Sequence, residues 1–288
     1  PHLDTLASES VVFRNAVSTC PVCCPYRASL LTGQYPLTHG IFVNGPRLPA
    51  DAVTLAEAVK DAGYATAYIG KWHLDGQGKF IPPDRRQGFD FWRAHECSHN
   101  YWKSPYYGDT PEQKTWEGYD AFSQTDCAIE YVKSRAGKPQ PFCLVVSYGP
   151  PHTPFATAPE EYRAMYDPEK LALRANVPAA RRTKARKDLA GYYAHITALD
   201  ACVGRLRAAL KANGQSENTI LAFTSDHGEM AESQGHGRKI RPWDESVLIP
   251  FLLRYPKRLG SGQCMMDAPF GVPDVMPTLL ELADITIP

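Results

Sequence analysis

Four strand-length apolar runs punctuate the chain: YATAYI (64–69), FCLVVS (142–147), TILAFT (219–224) and IPFLLR (249–254). Stretches with helical spacing lie between and around them, at 53–62, 119–135 and 186–213, with a last one from Pro273 to about Ala283. The longest places Tyr192, Ile196, Leu199, Val203, Leu206 and Leu210 on one stripe. Shorter helices are expected at 2–9 and at 28–33, the latter starting after a break at Pro25. This alternation predicts an α/β fold with a mostly parallel central sheet sandwiched by helices. Such sheets gather reactive groups at the carboxyl ends of their strands, so the segments just after the strands carry the functional reading.

Composition narrows the function. The 288 residues suit one large α/β domain, and 43% hydrophobic with 22% charged residues supplies an ordinary globular core. Thirty-one basic residues balance 31 acidic ones, which gives no electrostatic case for nucleic acid or an anionic membrane as partner. No apolar run approaches the ~20 residues of a membrane span. The opening PHLDTLASES has neither the basic start nor the apolar core of a signal peptide, and no initiator Met. An upstream piece is therefore expected. The residues name no compartment, and a periplasmic or secreted location is the expectation. Residues 75–118, rich in Pro, Gly and aromatics and without periodicity, are expected to form a substrate-side loop excursion. The basic run RRTKARK at 181–187 reads as a solvated helix start.

The loop CPVCCPYRASLLTG, residues 20–33, holds three of the eight cysteines beside an arginine. Half a zinc site is one reading, but no second Cys-x-x-Cys or His pair of suitable spacing follows. A thioredoxin-like pair lacks its βαβ context. The remaining cysteines are scattered; Cys143 and Cys202 read as small buried hydrophobes.

At the residue level, Cys23-Cys24-Pro25-Tyr26-Arg27 followed by Leu30-Leu31-Thr32-Gly33 closely resembles the C-x-P-x-R signature of the type I, formylglycine-dependent sulfatases of the alkaline-phosphatase-like superfamily. The resemblance implies that a maturase oxidises Cys23 to formylglycine. One hydroxyl of the hydrated aldehyde attacks sulfur and the other later expels sulfate, a release step a thiol lacks. Arg27 would hold that diol. Gly70-Lys71-Trp72-His73 resembles a second family segment, in which Lys71 neutralises a sulfate oxygen and His73 takes the proton as sulfate leaves. By the same resemblance, His152 after Pro150-Pro151 contacts the sulfate and helps protonate the leaving oxygen. Lys239 pairs with the sulfate and assists the leaving group. Asp226 and His227, in TSDHGE, would bind a divalent cation, calcium in the family, together with Cys23.

Glu229 reads as a helix-start acid, Trp243-Asp244-Glu245-Ser246 as structural, His99 as a candidate substrate contact, His236 as part of an exposed loop close to the pocket, and Arg238 and Arg241 as either exposed loop charges or substrate contacts. The family's opening strand, ending in Asp-Asp, has no counterpart in this chain, and neither has its smaller C-terminal domain. The resemblance therefore implies an incomplete catalytic domain over 1–288, with exposed sheet edges. The expected activity is hydrolysis of a sulfate ester, with a sulfated carbohydrate as the substrate. A phosphonate or phosphate ester hydrolase of the same superfamily, or an inactive fragment, are the competing readings.

Overall fold

The computed structural model describes residues 1–76 and 78–288. Gln77, inside the expected excursion at 75–118, lies outside the described residues. In chain order the helices are α1 His2–Ser8, α2 Cys23–Thr32, α3 Pro36–His39, α4 Leu55–Asp61, α5 Asp120–Arg135, α6 Glu160–Arg163, α7 Arg182–Ala212, α8 Asp244–Val247, α9 Pro256–Leu259 and α10 Val275–Leu282. The strands are β1 Val11–Phe13, β2 Ala16–Val17, β3 Ala65–Lys71, β4 Phe91–His95, β5 Pro105–Tyr106, β6 Lys114–Thr115, β7 Phe142–Ser147, β8 Leu221–Thr224, β9 Phe251–Arg254, β10 Cys264–Met266 and β11 Phe270–Gly271.

β3 is the middle strand of a parallel sheet ordered β4-β3-β7, with Gly70 opposite Ser147 and Lys71 opposite His95. Alternate side chains of β3 face opposite layers. Tyr68 packs with Trp72, Phe89 and Trp92 against Cys24, Ala28 and Leu31 of α2 and Ala56 of α4. Ile69 packs on the other side against Ala128 of α5. The sheet is thus covered by helices on both faces, as expected of parallel strands.

A second sheet, ordered β10-β1-β9-β8, mixes directions: β9 runs antiparallel to both β1 and β8, while β1 and β10 are parallel. β7 and β8 are each an outer strand of their sheet and are largely half-buried.

Four local expectations change. α2 starts at Cys23, not after Pro25. Pro25 falls in the first turn, where backbone N–H groups have no intrahelical acceptor, so its missing N–H costs nothing. Second, 75–118 is not only a loop excursion, because it contains β4, whose Trp92 and Ala94 are fully buried. Arg93 had interrupted the apolar pattern; its alternation marks the two faces of a strand.

Third, α7 begins at Arg182, and only part of the expected stripe is buried. Leu199 and Leu210 are buried and Tyr192, Ile196, Val203 and Leu206 are half-buried, while Ala194, His195, Ala198 and Cys202 are buried beside them. Small side chains let α7 approach α5 closely, and Cys202 Sγ reaches the Ala121 carbonyl at 3.6 Å. Fourth, Glu229 starts no helix. Its carboxylate accepts from the backbone N–H of Ala231 and of Arg238 at 3.3 and 2.5 Å, closing a loop.

All eight cysteines are free thiols; Cys202 is fully buried, whereas Cys143, on the outer strand β7, is half-buried.

Candidate active site

α2 is buried nearly all round, with only Leu30 of its ten residues less than fully buried. Its Cys24, Ala28 and Leu31 enter the core beside β3, and Tyr26 enters the core beside β9. A helix wedged between two sheets cannot roll, so its first residue, Cys23, has a fixed position. Val22 offers no cap, and Asn44 supplies one from another loop: its Oδ1 accepts from the Cys24 N–H at 3.0 Å.

Arg27, one turn along, reaches toward the strand ends. Its Nη1 donates to the Lys71 carbonyl and to Ser147 Oγ, both at 2.7 Å, and its Nη2 lies 3.6 Å from Asp226 Oδ2. The guanidinium therefore joins α2, the ends of β3 and β7, and the segment after β8.

β3 delivers Lys71 because Gly70 lets it. Gly70 has φ +104°, and a Cβ there would stand 2.1 Å from the Ser147 carbonyl oxygen. That close approach brings β3 and β7 to a common end and turns the buried Lys71 toward Cys23. Lys71 Nζ donates to Cys23 Sγ at 3.6 Å. Lys239 Nζ does the same at 3.7 Å, and donates to His152 Nε2 at 3.0 Å.

His152 Nδ1 lies 3.0 Å from the Thr153 carbonyl, a donor position that leaves Nε2 as the acceptor for Lys239. Burial and then the Lys239 charge push His152 down to about 4. His73, in the left-handed region at φ +60°, behaves oppositely. Burial opposes its charge, but the neighbouring sulfurs of Cys23, Cys24 and Cys97 raise it to about 11. Burial also opposes a Cys23 thiolate, yet His227, His73 and Lys71 bring that thiol down to about 4. Residue 23 thus sits where negative charge is stabilised from several sides.

Asp226 and His227 follow β8. Gly228 permits the turn: a Cβ on it would meet the Glu245 carbonyl oxygen at 2.1 Å. His227 Nδ1 lies 2.8 Å from the Gly228 carbonyl, so it donates there, and in the neutral ring Nε2 carries the lone pair. That Nε2 is 3.6 Å from Cys23 Sγ and 3.5 Å from Asp226 Oδ1. Burial raises the Asp226 carboxyl, but His227 and Arg27 outweigh it and hold the group well below the usual range.

Ligand atoms of Cys23, Asp226 and His227 all lie within 4.8 Å of one another. One carboxylate oxygen, one oriented imidazole nitrogen and the atom on residue 23 fit a divalent cation. Calcium prefers six to eight oxygens, and these residues alone do not supply them.

All eight sequence-predicted residues, Cys23, Arg27, Lys71, His73, His152, Asp226, His227 and Lys239, converge on one place, from α2, β3 and the segments after β7 and β8. Sequence reasoning missed Ser147, Asn44, Tyr68 and His95. Ser147 closes a strand and so had a positional signal. Tyr68 OH donates to the Lys71 carbonyl at 2.6 Å from three residues back on the same strand, and His95 is buried opposite Lys71 on β4, a sheet neighbour whose spacing in sequence says nothing. His99 stacks on His152 with centroids 4.4 Å apart.

Known proteins share this arrangement of elements. A family model for sulfatases matches residues 1–285. An ulvan-active sulfatase of Formosa agariphila is 48% identical over the whole chain, which spans 57% of that protein. An endo-4-O-sulfatase of Bacteroides thetaiotaomicron is 30% identical over 99% of the chain, which spans 62% of it. The chain thus covers about three fifths of the length of these relatives. A crystal structure of a putative sulfatase yidJ from Bacteroides fragilis superposes with a TM-score of 0.92 at 34% identity, covering 98% of this chain and 68% of that one. By its matched residues and by its fold, the chain belongs to the sulfatase family.

Proposed function

We propose that the protein hydrolyses a sulfate ester of a carbohydrate, with Cys23 converted to formylglycine by a maturase and a divalent cation, calcium, held beside it. The observation that carries the reading is the pair of ammonium groups, Lys71 Nζ and Lys239 Nζ, 3.6 and 3.7 Å from Cys23 Sγ. Two fixed cations within reach of one nucleophile position suit a tetrahedral oxyanion that gains charge in the transition state. The names of the two relatives, one ulvan-active and one an endo-4-O-sulfatase, support a sulfated polysaccharide as the substrate class.

A converted residue 23 supplies a hydroxyl nucleophile in place of the thiol, and a cation on Asp226 and His227 supplies Lewis acidity toward a sulfate oxygen. The other residues divide the remaining work. Lys71 and Lys239 bind sulfate oxygens, and Arg27 fixes the first turn of α2 against the strand ends. With residue 23 converted, the Cys23 sulfur that leads in raising His73 is gone, and a neutral His73 accepts the proton that the residue 23 side chain gives up when sulfate departs. His152 and Lys239 share one proton across 3.0 Å and present it to the leaving alcohol oxygen.

Two measurements on full-length protein from its native host test this reading. The tryptic peptide Asn15 to Arg27 should be lighter by the thiol-to-aldehyde difference, with the change at Cys23. Paired 4-methylumbelliferyl sulfate and phosphate should show the sulfate turned over faster. An unmodified Cys23 together with preference for the phosphate would overturn the assignment.

A further inference from the structure

Lys239 is delivered by an unusual piece of backbone. Between residues 231 and 240 five non-glycine residues have positive φ: Ala231 (46°), Glu232 (68°), Gln234 (54°), Arg238 (63°) and Ile240 (69°). Side chains with a Cβ disfavour this region, and a cluster of such residues persists only where surrounding contacts over-determine the path. Two sets of contacts do so. At its base the loop is pinched by the Glu229 carboxylate, which accepts from Arg238 N–H at 2.5 Å, and by Met230 N–H donating to the Arg238 carbonyl at 2.6 Å. On its far side the loop is tied to the rest of the fold. Gln234 N–H donates to the Asn176 carbonyl at 2.9 Å, and the Glu232 side chain is buried against the start of α7. There Lys184 Nζ donates to Glu232 Oε1 at 2.6 Å, and Arg181 Nη1 lies 3.7 Å from Oε2. Lys184 also holds Asp188 at 2.5 Å.

We propose that Glu232, gripped by Lys184 and Arg181, is a positioning residue that sets Lys239 against residue 23 and His152. The inference rests on the sulfatase reading of that site. Glycine would take φ +68° at no steric cost, so a glutamate there is explained by what its side chain does. A carboxylate this buried needs its cationic partners, which makes the tie specific in direction and charge rather than a general surface contact. The basic run at 181–187, which reads in sequence as a solvated helix start, thereby acquires a role. Two of its cations fix the loop that carries a site lysine. Glu232 and Lys184 act only through Lys239.

The test uses full-length converted enzyme and two readouts: kcat on 4-methylumbelliferyl sulfate, and affinity for inorganic sulfate by calorimetry. Glu232→Gly suits the backbone and cuts the tie. It should lower kcat about tenfold or more, since a displacement near 1 Å is enough for such a loss, and should weaken sulfate binding. In a Lys239→Ala background the same change should have no further effect on either readout. Glu232→Gln, which keeps the shape and removes the charge, should show a smaller loss of the same pattern if the glycine variant folds poorly. Unchanged kcat and sulfate affinity in both variants would overturn the inference. So would an equal loss in the Lys239→Ala background. Either result, with sulfate bound and turned over by the unaltered enzyme, leaves the functional reading standing. An unaltered enzyme that neither binds sulfate nor cleaves the ester removes both.

Discussion

Lys239 Nζ donates a hydrogen bond to His152 Nε2 across 3.0 Å, and the His152 ring lies 4° from parallel to that of His99. Lysine and histidine therefore operate as one unit whose orientation the stack helps to hold. His152→Ala and Lys239→Ala should each lower kcat/KM by about 10²-fold or more, the usual scale for a positioned proton donor. The double variant should be little worse than either alone, because the two groups are joined by one hydrogen bond. Steady-state kinetics on all three variants measures this. Fully additive losses would mean that the residues act separately.

Cys23→Ala should abolish turnover and leave the fold intact. Removing one sulfur from a buried but small side chain costs about 1 kcal/mol of stability. Cys20→Ala should be nearly silent in both respects, since the Cys20 thiol is half-buried and only reaches the Phe42 carbonyl at 3.9 Å. Activity assays with thermal melts of both variants provide the check, and normal turnover by Cys23→Ala would sink the nucleophile assignment.

Gly70→Ala should destabilise the protein by about 3 kcal/mol or more, because the added Cβ combines a disfavoured φ with a backbone clash. The contact in question is 2.1 Å, to the Ser147 carbonyl oxygen, which cannot retreat without parting β3 from β7. Urea unfolding gives the comparison. Gly118→Ala is the control, being a positive-φ glycine with nothing within 4 Å of its added Cβ.

Asp120 predicts a pH dependence of stability. Burial raises its carboxyl to about 7 despite the hydrogen bond that Ser104 Oγ donates at 2.9 Å. The folded state then holds a proton that the unfolded chain releases near 3.8. Between these values the folded state binds more protons, so this contribution to stability falls as pH rises from about 4 to about 7. Its size is on the order of a few kcal/mol. Asp120→Asn should flatten that slope, which urea midpoints measured from pH 4 to 8 would reveal. An unchanged slope would place the titration elsewhere.

Much of this protein is local information. The apolar runs mark β3, β7, β8 and β9 to within a few residues, although only β3 and β9 are buried along nearly their whole length. The spacing of Cys23, Pro25 and Arg27, and the placement of Lys71, Asp226 and His227 just at or after strand ends, are likewise written in the chain, whereas the helical start at Cys23 is not. What the sequence alone does not determine is set by contacts between distant residues. Strand direction in the second sheet is one example, since an apolar run reads the same either way along a neighbour. The buried seam of α7 is another: small residues win the closest approach to α5, although larger ones form the more apolar stripe. Asn44 caps α2 from twenty residues away, and Glu232 finds Lys184 across 48. Residue type announces which groups are able to do chemistry. Only packing decides which of them share a hydrogen bond, because that depends on distances that no sequence spacing encodes.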